Sequence, residues 1–349
     1  MCGHPNFLEN FDLNTKETIN LLAIESSCDD TSAAVLIDGK VVANITATQL
    51  DHEKYGGVVP EVASRQHNIH IGMVVKEALD KAGIAPIDLH AVGVTQGPGL
   101  MGSLVVGVAF AKSLALGLDV PLIGVHHMHA HILAHLIDEP KPEFPFLCLT
   151  VSGGHTQLVV IRSYKEMEIL GTTIDDAAGE AFDKTGKMLG LPYPAGPHID
   201  RLAALGNPVF TFSKAQMPDF DFSFSGFKTS VLYFLQNQTQ KDQDFIKNNL
   251  NDLCASIQMT IIDMLTAKLI RAVKSTGITR VAIAGGVSAN RGLRNKLTEL
   301  ATIHGWDLFI PSFEYCTDNA AMIGINAYFK YLDQNFETQD MTADPRLAF

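Results

Sequence analysis

The sequence predicts an α/β protein whose chain forms two related lobes on either side of a cleft. One observation is the order of a strand, a short Ser-containing turn ending in Thr, and a second strand, over residues 21–37 and again over 146–161. Another is the order of a strand, a Gly-rich turn and a helix, over 91–117 and again from residue 280. Each pattern alone also occurs as an ordinary tight connection, but two matched pairs indicate a duplication.

The first lobe is predicted over residues 21–125. Its short apolar runs are bounded by turn residues, which is typical of strands, and the Asp38-Gly39 pair favours a hairpin. In chain order we predict strands over 21–24, 32–37 and 40–47, a helix over about 62–82, a strand over 91–95 and an apolar helix over about 103–117.

The second lobe is predicted over residues 126–330, with an insertion over about 174–250 that has no counterpart in the first. The matching elements are strands over 146–150, 157–161 and 280–284, a long helix over about 251–274 and a helix that begins at residue 291. In both lobes a Gly-rich turn exposes backbone N–H groups beside the positive end of a helix, an arrangement that suits phosphate. We therefore expect the cleft to bind a nucleotide.

The composition is that of a folded protein. Of the 349 residues, 46% are hydrophobic and 18% are charged, which excludes an intrinsically disordered chain. The net charge of −12 argues against a broadly basic surface, although a local basic stripe can suffice for nucleic acid. The five cysteines are dispersed without a C-x-x-C pair, so we expect reduced thiols and not a disulfide framework.

Both ends of the chain lie outside the two lobes in this interpretation. Residues 1–20 form a polar N-terminal extension without the apolar core of a secretory signal, and residues 331–349 form a C-terminal tail. No apolar segment is predicted to span a bilayer. We therefore expect a cytoplasmic protein that has no membrane partner.

Histidines are concentrated in one short segment. Five of the thirteen fall within residues 126–135. On a helix, His127 and His131 share one face at a spacing that lets two imidazoles reach one metal ion, with a third ligand supplied from elsewhere in the chain. His131 and His135 have the same spacing, and the alternative for either pair is a polar helix face in contact with water. Periodicity alone does not choose between the pairs.

Several blocks together resemble one family, the universal tRNA threonylcarbamoyladenosine synthases. They occur in order between residue 21 and about residue 330, at 25–31, 126–131, 151–157, 176–184, 190–200, 285–290 and 316–322. The duplicated architecture likewise resembles the superfamily of actin, sugar kinases and heat-shock chaperone ATPase domains (the ASKHA fold). That superfamily binds a nucleotide between its lobes.

The resemblance implies a reaction and a metal. The expected reaction moves a threonylcarbamoyl group from threonylcarbamoyl-AMP to N6 of adenosine 37, in tRNAs that read codons beginning with A. The implied ligands of one divalent metal per subunit are His127, His131 and Asp318, and the metal is Fe(II), with Zn(II) as the alternative. From the residues alone, Asp318 before an apolar helix is equally typical of a helix N-cap.

The resemblance also implies a set of substrate-binding residues. They are Thr150, Val151, Ser152, Gly153, Gly154, Asp183, Gly196, Asp200 and Asn290. The turn at 150–154 would line the phosphates and the acyl group, and a carboxylate of Asp183 or Asp200 would pair with the ribose. Without the family, Asp183 beside Lys184 indicates a solvated helix pair, and Asn290 indicates a turn. Glu25 and Asp29 are given only a supporting role.

The expected macromolecular partner is the anticodon arm of tRNA. The densest basic run comprises Arg271, Lys274, Arg280, Arg291, Arg294 and Lys296, with Lys54 and Arg65 elsewhere. Because the chain is acidic overall and phosphate contacts dominate such binding, part of the affinity is expected to come from other proteins. The resemblance implies a TsaB-like paralogue of the same fold and a TsaE-like P-loop ATPase.

Two other functions compete with the transferase. One is a metal-dependent endopeptidase acting on glycoproteins, but its helical zinc signature places a Glu directly after the first His, and here Met128 follows His127. The other is a non-catalytic actin-like partner or an ATP phosphotransferase. A binding-only paralogue is expected to lack the His pair, and a kinase to hold Mg²⁺ by carboxylates.

Overall fold

The structure is a computed structural model that describes residues 18–215 and 217–349. Most of the predicted N-terminal extension, residues 1–17, lies outside this range. The described strands are β1 (Asn20–Glu25), β2 (Asp30–Ile37), β3 (Lys40–Thr48), β4 (Ala91–Gly97), β5 (Leu122–His126), β6 (Phe146–Val151), β7 (Thr156–Ser163), β8 (Glu166–Thr172), β9 (Arg280–Ala284) and β10 (Asp307–Phe309).

The described helices vary from one turn to more than seven. They are α1 (Pro60–Ala82), α2 (Met101–Leu118), α3 (His127–Leu133), α4 (Ala178–Met188), α5 (Ala195–Ala203), α6 (Ser225–Lys241), α7 (Phe245–Asn248), α8 (Leu250–Thr276), α9 (Arg291–His304) and α10 (Ala320–Leu332). Short 3₁₀ segments cover Leu50–Tyr55, Pro86–Asp88, Ala134–Leu136, Gly286–Ala289 and Phe313–Tyr315. All the strands and helices predicted from the sequence are present, with shifts of a few residues at their ends.

Two five-stranded sheets of the same topology form the lobes. The first has the order β3-β2-β1-β4-β5 and the second the order β8-β7-β6-β9-β10. In each, the first three strands are antiparallel and the last three run parallel to one another. The duplication predicted from the sequence, and with it the fold class, is confirmed.

The central strands are hidden on both faces. Every residue of β1 and of β6 is buried, as their continuous apolar runs predict for strands covered on both sides. Helices α1 and α2 pack on one face of the first sheet. Helices α4, α5, α6, α8 and α9 contribute to the core on one face of the second sheet.

The final helix returns to the first sheet. Residues of α10, among them Met322, Ile323 and Ala327, join the same core as Leu21 of β1 and Leu36 of β2. The boundaries predicted from the sequence place this helix in the second lobe, because it follows that lobe directly in the chain. The apolar face of the first sheet opposite α1 and α2 is instead covered by α10, so a segment distant in sequence completes the first lobe.

The predicted C-terminal tail also packs against the first lobe. The N–H of Glu337 donates to Leu122 O at 2.8 Å, and that of Asp344 donates to Gln96 O at 2.9 Å. At the end of the tail, the Phe349 ring lies edge-on to the His129 ring, with 4.5 Å between centroids, and packs with residues of the second sheet. The tail thus contacts both lobes.

The insertion contributes to the core of the second lobe. Three aromatic residues of the insertion, Phe222, Phe224 and Phe227, are all buried against α8 and the sheet. Asp175 fixes this arrangement because it accepts hydrogen bonds from Phe224 N and Ser223 Oγ. The insertion is therefore a folded part of the lobe.

Two helices are long and apolar enough to cross a membrane by length and composition, although the sequence predicts no spanning segment. They are α2 and α8. In α2, 33% of the most apolar stretch is buried, and in α8, 72% of it is buried. Helix α8 runs through the core of the second lobe. Helix α2 packs one face on the first sheet and leaves the other face exposed.

Candidate active site

A cleft of about 700 Å³ lies between the lobes where the parallel strands end. Four turns contribute half of its lining residues, one turn after each of β1, β4, β6 and β9, and these are the matched turns of the sequence pattern. They contribute Ser27–Asp30, Pro98–Leu100, Ser152–His155, and Gly286, Val287 and Ala289–Arg291. The carboxyl ends of parallel strands are where ligands bind in open α/β sheets, and the volume is in the range of small-molecule sites.

The histidine segment forms the short helix α3 directly after β5. His126 is its N-cap, since its Nδ1 accepts from the N–H groups of Met128 and His129. The rings of His127 and His131 face each other edge-on, with centroids 4.7 Å apart. His135, which periodicity alone could not separate from this pair, turns away and contacts Ile283 O through Nε2 at 2.8 Å. Burial lowers the pKa of His135 to about 4.

Asp318 meets the two facing histidines from the other end of the chain. Its Oδ1 lies 3.1 Å from His131 Nε2 and 3.5 Å from His127 Nε2. One ligand atom from each of the three residues lies within 4.8 Å of the other two. Two imidazoles and a carboxylate are a donor set that suits divalent transition metals, so the residues fit a metal ion.

Helix α10 and the first sheet hold Asp318 in place. The N-cap of α10 is Asn319, whose Oδ1 accepts from Met322 N at 3.1 Å. The next N–H groups donate to the first sheet, from Ala320 to Ser32 Oγ at 2.9 Å and from Ala321 to Asn44 Oδ1 at 3.3 Å. Because Asn319 does the capping, the carboxylate of Asp318 is available to the histidines.

Glu25 supports the histidine that faces the cleft. Its Oε2 accepts from His127 Nδ1 at 3.1 Å and from Thr95 Oγ1 at 2.6 Å, while Ser27 N donates to Oε1. The Ser27 hydroxyl lies 3.2 Å from the same His127 nitrogen. A carboxylate bound to the far nitrogen fixes the tautomer of a ligating imidazole and directs Nε2 to the metal side. Ser27 and Thr95 are supporting residues that the sequence did not single out.

The charges of this cluster compensate one another. Burial opposes protonation of His127, but the carboxylates of Asp318 and Glu25 outweigh it and raise the pKa of His127 to about 9. Burial likewise opposes ionisation of Asp318, and His127 and His131 nevertheless lower the pKa of Asp318 to about 2. The buried Glu25 carboxylate and the partly buried Asp318 carboxylate therefore both face positive charge, and a divalent cation would also supply that charge.

The predicted nucleoside residues line the opposite part of the cleft. Asp183 Oδ1 accepts from Ala195 N at 2.7 Å and from Gly196 N at 3.3 Å, at the start of α5. Burial, the largest influence, raises the pKa of Asp183 despite these bonds. Asp183 does not form a solvated ion pair with Lys184. Lys184 instead contacts Asp176 and Glu180.

Asp200 and Asn290 are joined at the start of α9. Asp200 accepts from Arg291 N at 3.1 Å and pairs with Arg291 Nε at 3.1 Å. Asn290 caps the helix by accepting from Leu293 N, and its Nδ2 donates to Gln258 at 2.7 Å. All four predicted nucleoside residues line the cleft, although both polar ends of the Asn290 amide already have protein partners.

The five residues from Thr150 to Gly154 divide into two groups. Ser152, Gly153 and Gly154 line the cleft, and a Cβ added at either glycine would meet no atom within 4 Å. The sequence predicts substrate contacts for Thr150 and Val151 as well. Both instead lie within β6 and are buried, because the strand continues through Val151 before the chain turns, and neither lines the cleft.

Only part of the predicted basic run lies near the cleft. Arg271 contacts Asp219, Arg280 pairs with Glu143 and Lys296 pairs with Glu299, all away from the cleft walls. Arg291 lines the cleft, and the guanidinium carbon of Arg294 lies 4.0 Å from the ring centroid of Phe313, another lining residue. The cleft therefore has a basic and aromatic edge at the start of α9.

Two lobes of one topology with turns of both meeting at a cleft are the ASKHA fold. HypF from T. kodakarensis has this fold, with a TM-score of 0.62 and 14% identity over 93% of this chain and 49% of that chain. Full-length HypF in a phosphate- and nucleotide-bound form gives a TM-score of 0.58 and 15% identity over 90% of this chain and 46% of that chain.

Sequence comparison identifies the family within this class. The model of the TsaD family, tRNA N6-adenosine threonylcarbamoyltransferase, matches residues 40–325. Proteins of that name from Christiangramia forsetii and Cytophaga hutchinsonii are 58% and 57% identical, each over 95% of this chain and over 99% and 96% of their own length. The chain belongs to the TsaD family.

Proposed function

We propose that the chain transfers a threonylcarbamoyl group from threonylcarbamoyl-AMP to N6 of adenosine 37, in tRNAs that read codons beginning with A. Its relatives are tRNA N6-adenosine threonylcarbamoyltransferases over nearly the whole chain. The observation that carries the proposal is the convergence of His127, His131 and Asp318 at a nucleotide-sized cleft between the lobes. A chain that served only as a binding partner would have no need for this buried cluster.

We assign His127, His131 and Asp318 as the ligands of one divalent metal, Fe(II) or alternatively Zn(II). Their donor atoms suit either ion. When bound, the metal would polarise an oxygen of the acyl donor and help to position it. Glu25 would hold His127 in the ligating tautomer, and the turn at Ser152–Gly154 would let the backbone approach the phosphate.

The reaction needs orientation more than a protein nucleophile. N6 of the adenine attacks the carbamoyl carbon, the bond from that carbon to the AMP phosphate oxygen breaks, and N6 loses one proton. Because AMP is a good leaving group, holding the two substrates together supplies much of the acceleration. Asp183, Gly196, Asp200 and Asn290 would fix the nucleoside of the donor, while the turn after β6 would contact its phosphate.

A peptidase is less well supported by the surroundings of the metal cluster. Such an enzyme needs a carboxylate free to activate water beside the metal. The buried Glu25 touches the cluster at His127, and its oxygens already accept from His127, Thr95 and Ser27. This supports Glu25 as an orienting group and not as a base.

Reconstitution of the reaction tests the proposal. The purified chain is incubated with tRNA transcript, threonine, bicarbonate, ATP, the adenylate-forming enzyme and the partner proteins, and the nucleosides are analysed by mass spectrometry. We expect threonylcarbamoyladenosine with the wild type and none above background with His131→Ala, which also loses the metal. Modified nucleoside at the wild-type level from His131→Ala would overturn the metal assignment.

His135→Ala is the matched control for that experiment. It removes a buried histidine from the next turn of the same segment, whose hydrogen bond is to Ile283 O. Loss of one buried hydrogen bond costs about 1–3 kcal/mol, so this variant is less stable but keeps one metal ion per chain. If both variants lose the metal, the segment has unfolded, and the loss in His131→Ala would not identify His131 as a ligand.

We further propose that the chain works with a TsaB-like paralogue and a TsaE-like P-loop ATPase. An exposed apolar face on α1 and α2, which pack side by side, supports an interaction with the paralogue. It is formed by Ile69, Met73, Met101, Val105 and Leu116, each about half or more exposed. A paralogue of the same fold carries the same helix pair, so the two faces can associate around a pseudo-twofold axis.

A further inference from the structure

An exposed aromatic ring lines the same cleft as the metal cluster. Phe313 begins the 3₁₀ segment Phe313–Tyr315, five residues before Asp318, and lines the cleft. It is 61% exposed, although a large apolar side chain gains free energy when it is buried. Neither the adenylate site nor the metal cluster described above makes use of it.

One face of the Phe313 ring is covered by a fixed cation. The guanidinium carbon of Arg294 lies 4.0 Å from the ring centroid. Arg294 Nε donates to Ser288 O at 2.6 Å, and its terminal nitrogen donates to Pro311 O at 2.9 Å. These bonds hold the guanidinium still, so the ring is supported on one face and remains open to a ligand on the other.

The geometry points to Phe313, supported by Arg294, as a stacking platform for a base of the tRNA anticodon loop. This inference rests on the proposed function. The acceptor adenine must leave its stacked position before N6 can reach the donor, and unstacked RNA bases are held on aromatic rings. Arg294 places positive charge beside the ring, where the phosphate backbone would pass, on a chain whose net charge is −12.

The donor nucleoside is the other aromatic ligand to be considered. Its predicted contacts are Asp183, Gly196 and Asp200. Asp183 binds the N–H groups at the start of α5, where Gly196 lies, and Asp200 binds the start of α9. Phe313 follows β10 in the loop that leads to Asp318, and Arg294 ties it to α9. Because the polar contacts predicted for the donor nucleoside do not include this ring, the platform is assigned to RNA, and AMP binding distinguishes the two ligands.

Direct binding of two ligands tests the assignment. A labelled anticodon stem–loop RNA is titrated by fluorescence anisotropy, and AMP is titrated by calorimetry, against the full-length chain. Phe313→Ala is expected to weaken RNA binding roughly tenfold, the value of one stacked base, and to leave AMP binding unchanged. Phe313→Trp is expected to bind RNA as the wild type does, whereas Phe313→Leu is expected to bind as Phe313→Ala does.

Tyr233→Ala is the matched control. Tyr233 is 65% exposed on α6, away from the residues that line the cleft, and its loss should not change RNA affinity. Unchanged RNA binding by Phe313→Ala, wild-type binding by Phe313→Leu, or weakened AMP binding would each overturn the platform. If the wild type binds RNA through Phe313 but makes no modified nucleoside, the proposed function fails and the platform stands.

Discussion

At the scale of the residue, His127 uses both ring nitrogens and so joins two parts of the site. Nδ1 contacts Glu25 on β1, while Nε2 faces Asp318 at the start of α10. A ligating imidazole whose far nitrogen is bound to a carboxylate has its tautomer and ring orientation fixed. The buried Glu25 would therefore influence how well a metal is held at this site without touching the metal.

Glu25→Gln tests this dependence. The amide keeps the shape of the side chain but removes the charge that stabilises the His127 Nδ1–H, so metal affinity should fall by about 10–100-fold. Competition with a chromophoric chelator measures the change. The variant should remain folded, because the amide oxygen can take the place of Oε1 and accept from Ser27 N, while the amide NH2 group can donate to the Thr95 hydroxyl. Metal affinity equal to that of the wild type would show that Glu25 does not orient the ligand.

At the scale of the element, neighbouring residues divide two roles at the start of α10. Asn319 caps the helix, and Asp318 faces the histidines. Asn319→Ala should lower the free energy of unfolding by about 1 kcal/mol and retain one metal ion per chain. Asp318→Asn should keep the cap and lose the metal. Chemical denaturation and elemental analysis measure the two effects, and a metal-loaded Asp318→Asn would contradict the assignment.

The elements that the sequence predicts are those with strong periodicity or strong boundaries. β1 and β6 are buried along their whole length, so their apolar runs are unmistakable. β8 alternates exposed and partly buried residues, and β10 has only three residues. The three residues of β10 give no pattern that is distinct from a loop, whereas the alternation in β8 is typical of a half-buried strand; neither strand was predicted from the sequence.

The site could be predicted in part for a similar reason. The spacing of His127 and His131 is local, so a helix brings them together wherever the helix lies. Their meeting with Asp318 depends on α10 crossing back to the first sheet, and helical or strand periodicity contains no information about that contact. Only the resemblance to a family supplied the third residue, and the exposed Phe313 had no sequence signal.

At the scale of the whole molecule, the lobes are joined in several places. The chain crosses from the first sheet through α3, returns through α10, and its tail contacts both lobes. Helices α1 and α2 lie on the outer face of the first lobe, opposite α10. A partner bound to the exposed side of α1 and α2 would therefore lie on the outside of the first lobe.

Charge on that outer face should block association without disturbing the site. Val105→Asp combined with Met73→Asp places two carboxylates among apolar side chains that are about half exposed, and burying them in an interface without partners is unfavourable. Size-exclusion chromatography with light scattering should show a complex of the wild type with the TsaB-like paralogue and none with the variant, while both bind one metal ion.

Ile303→Asp, equally exposed on α9, is the control and should form the complex. A complex that survives the double change would place the paralogue on another surface, and a wild-type dimer lost with the change would mean that a second copy of this chain occupies the face.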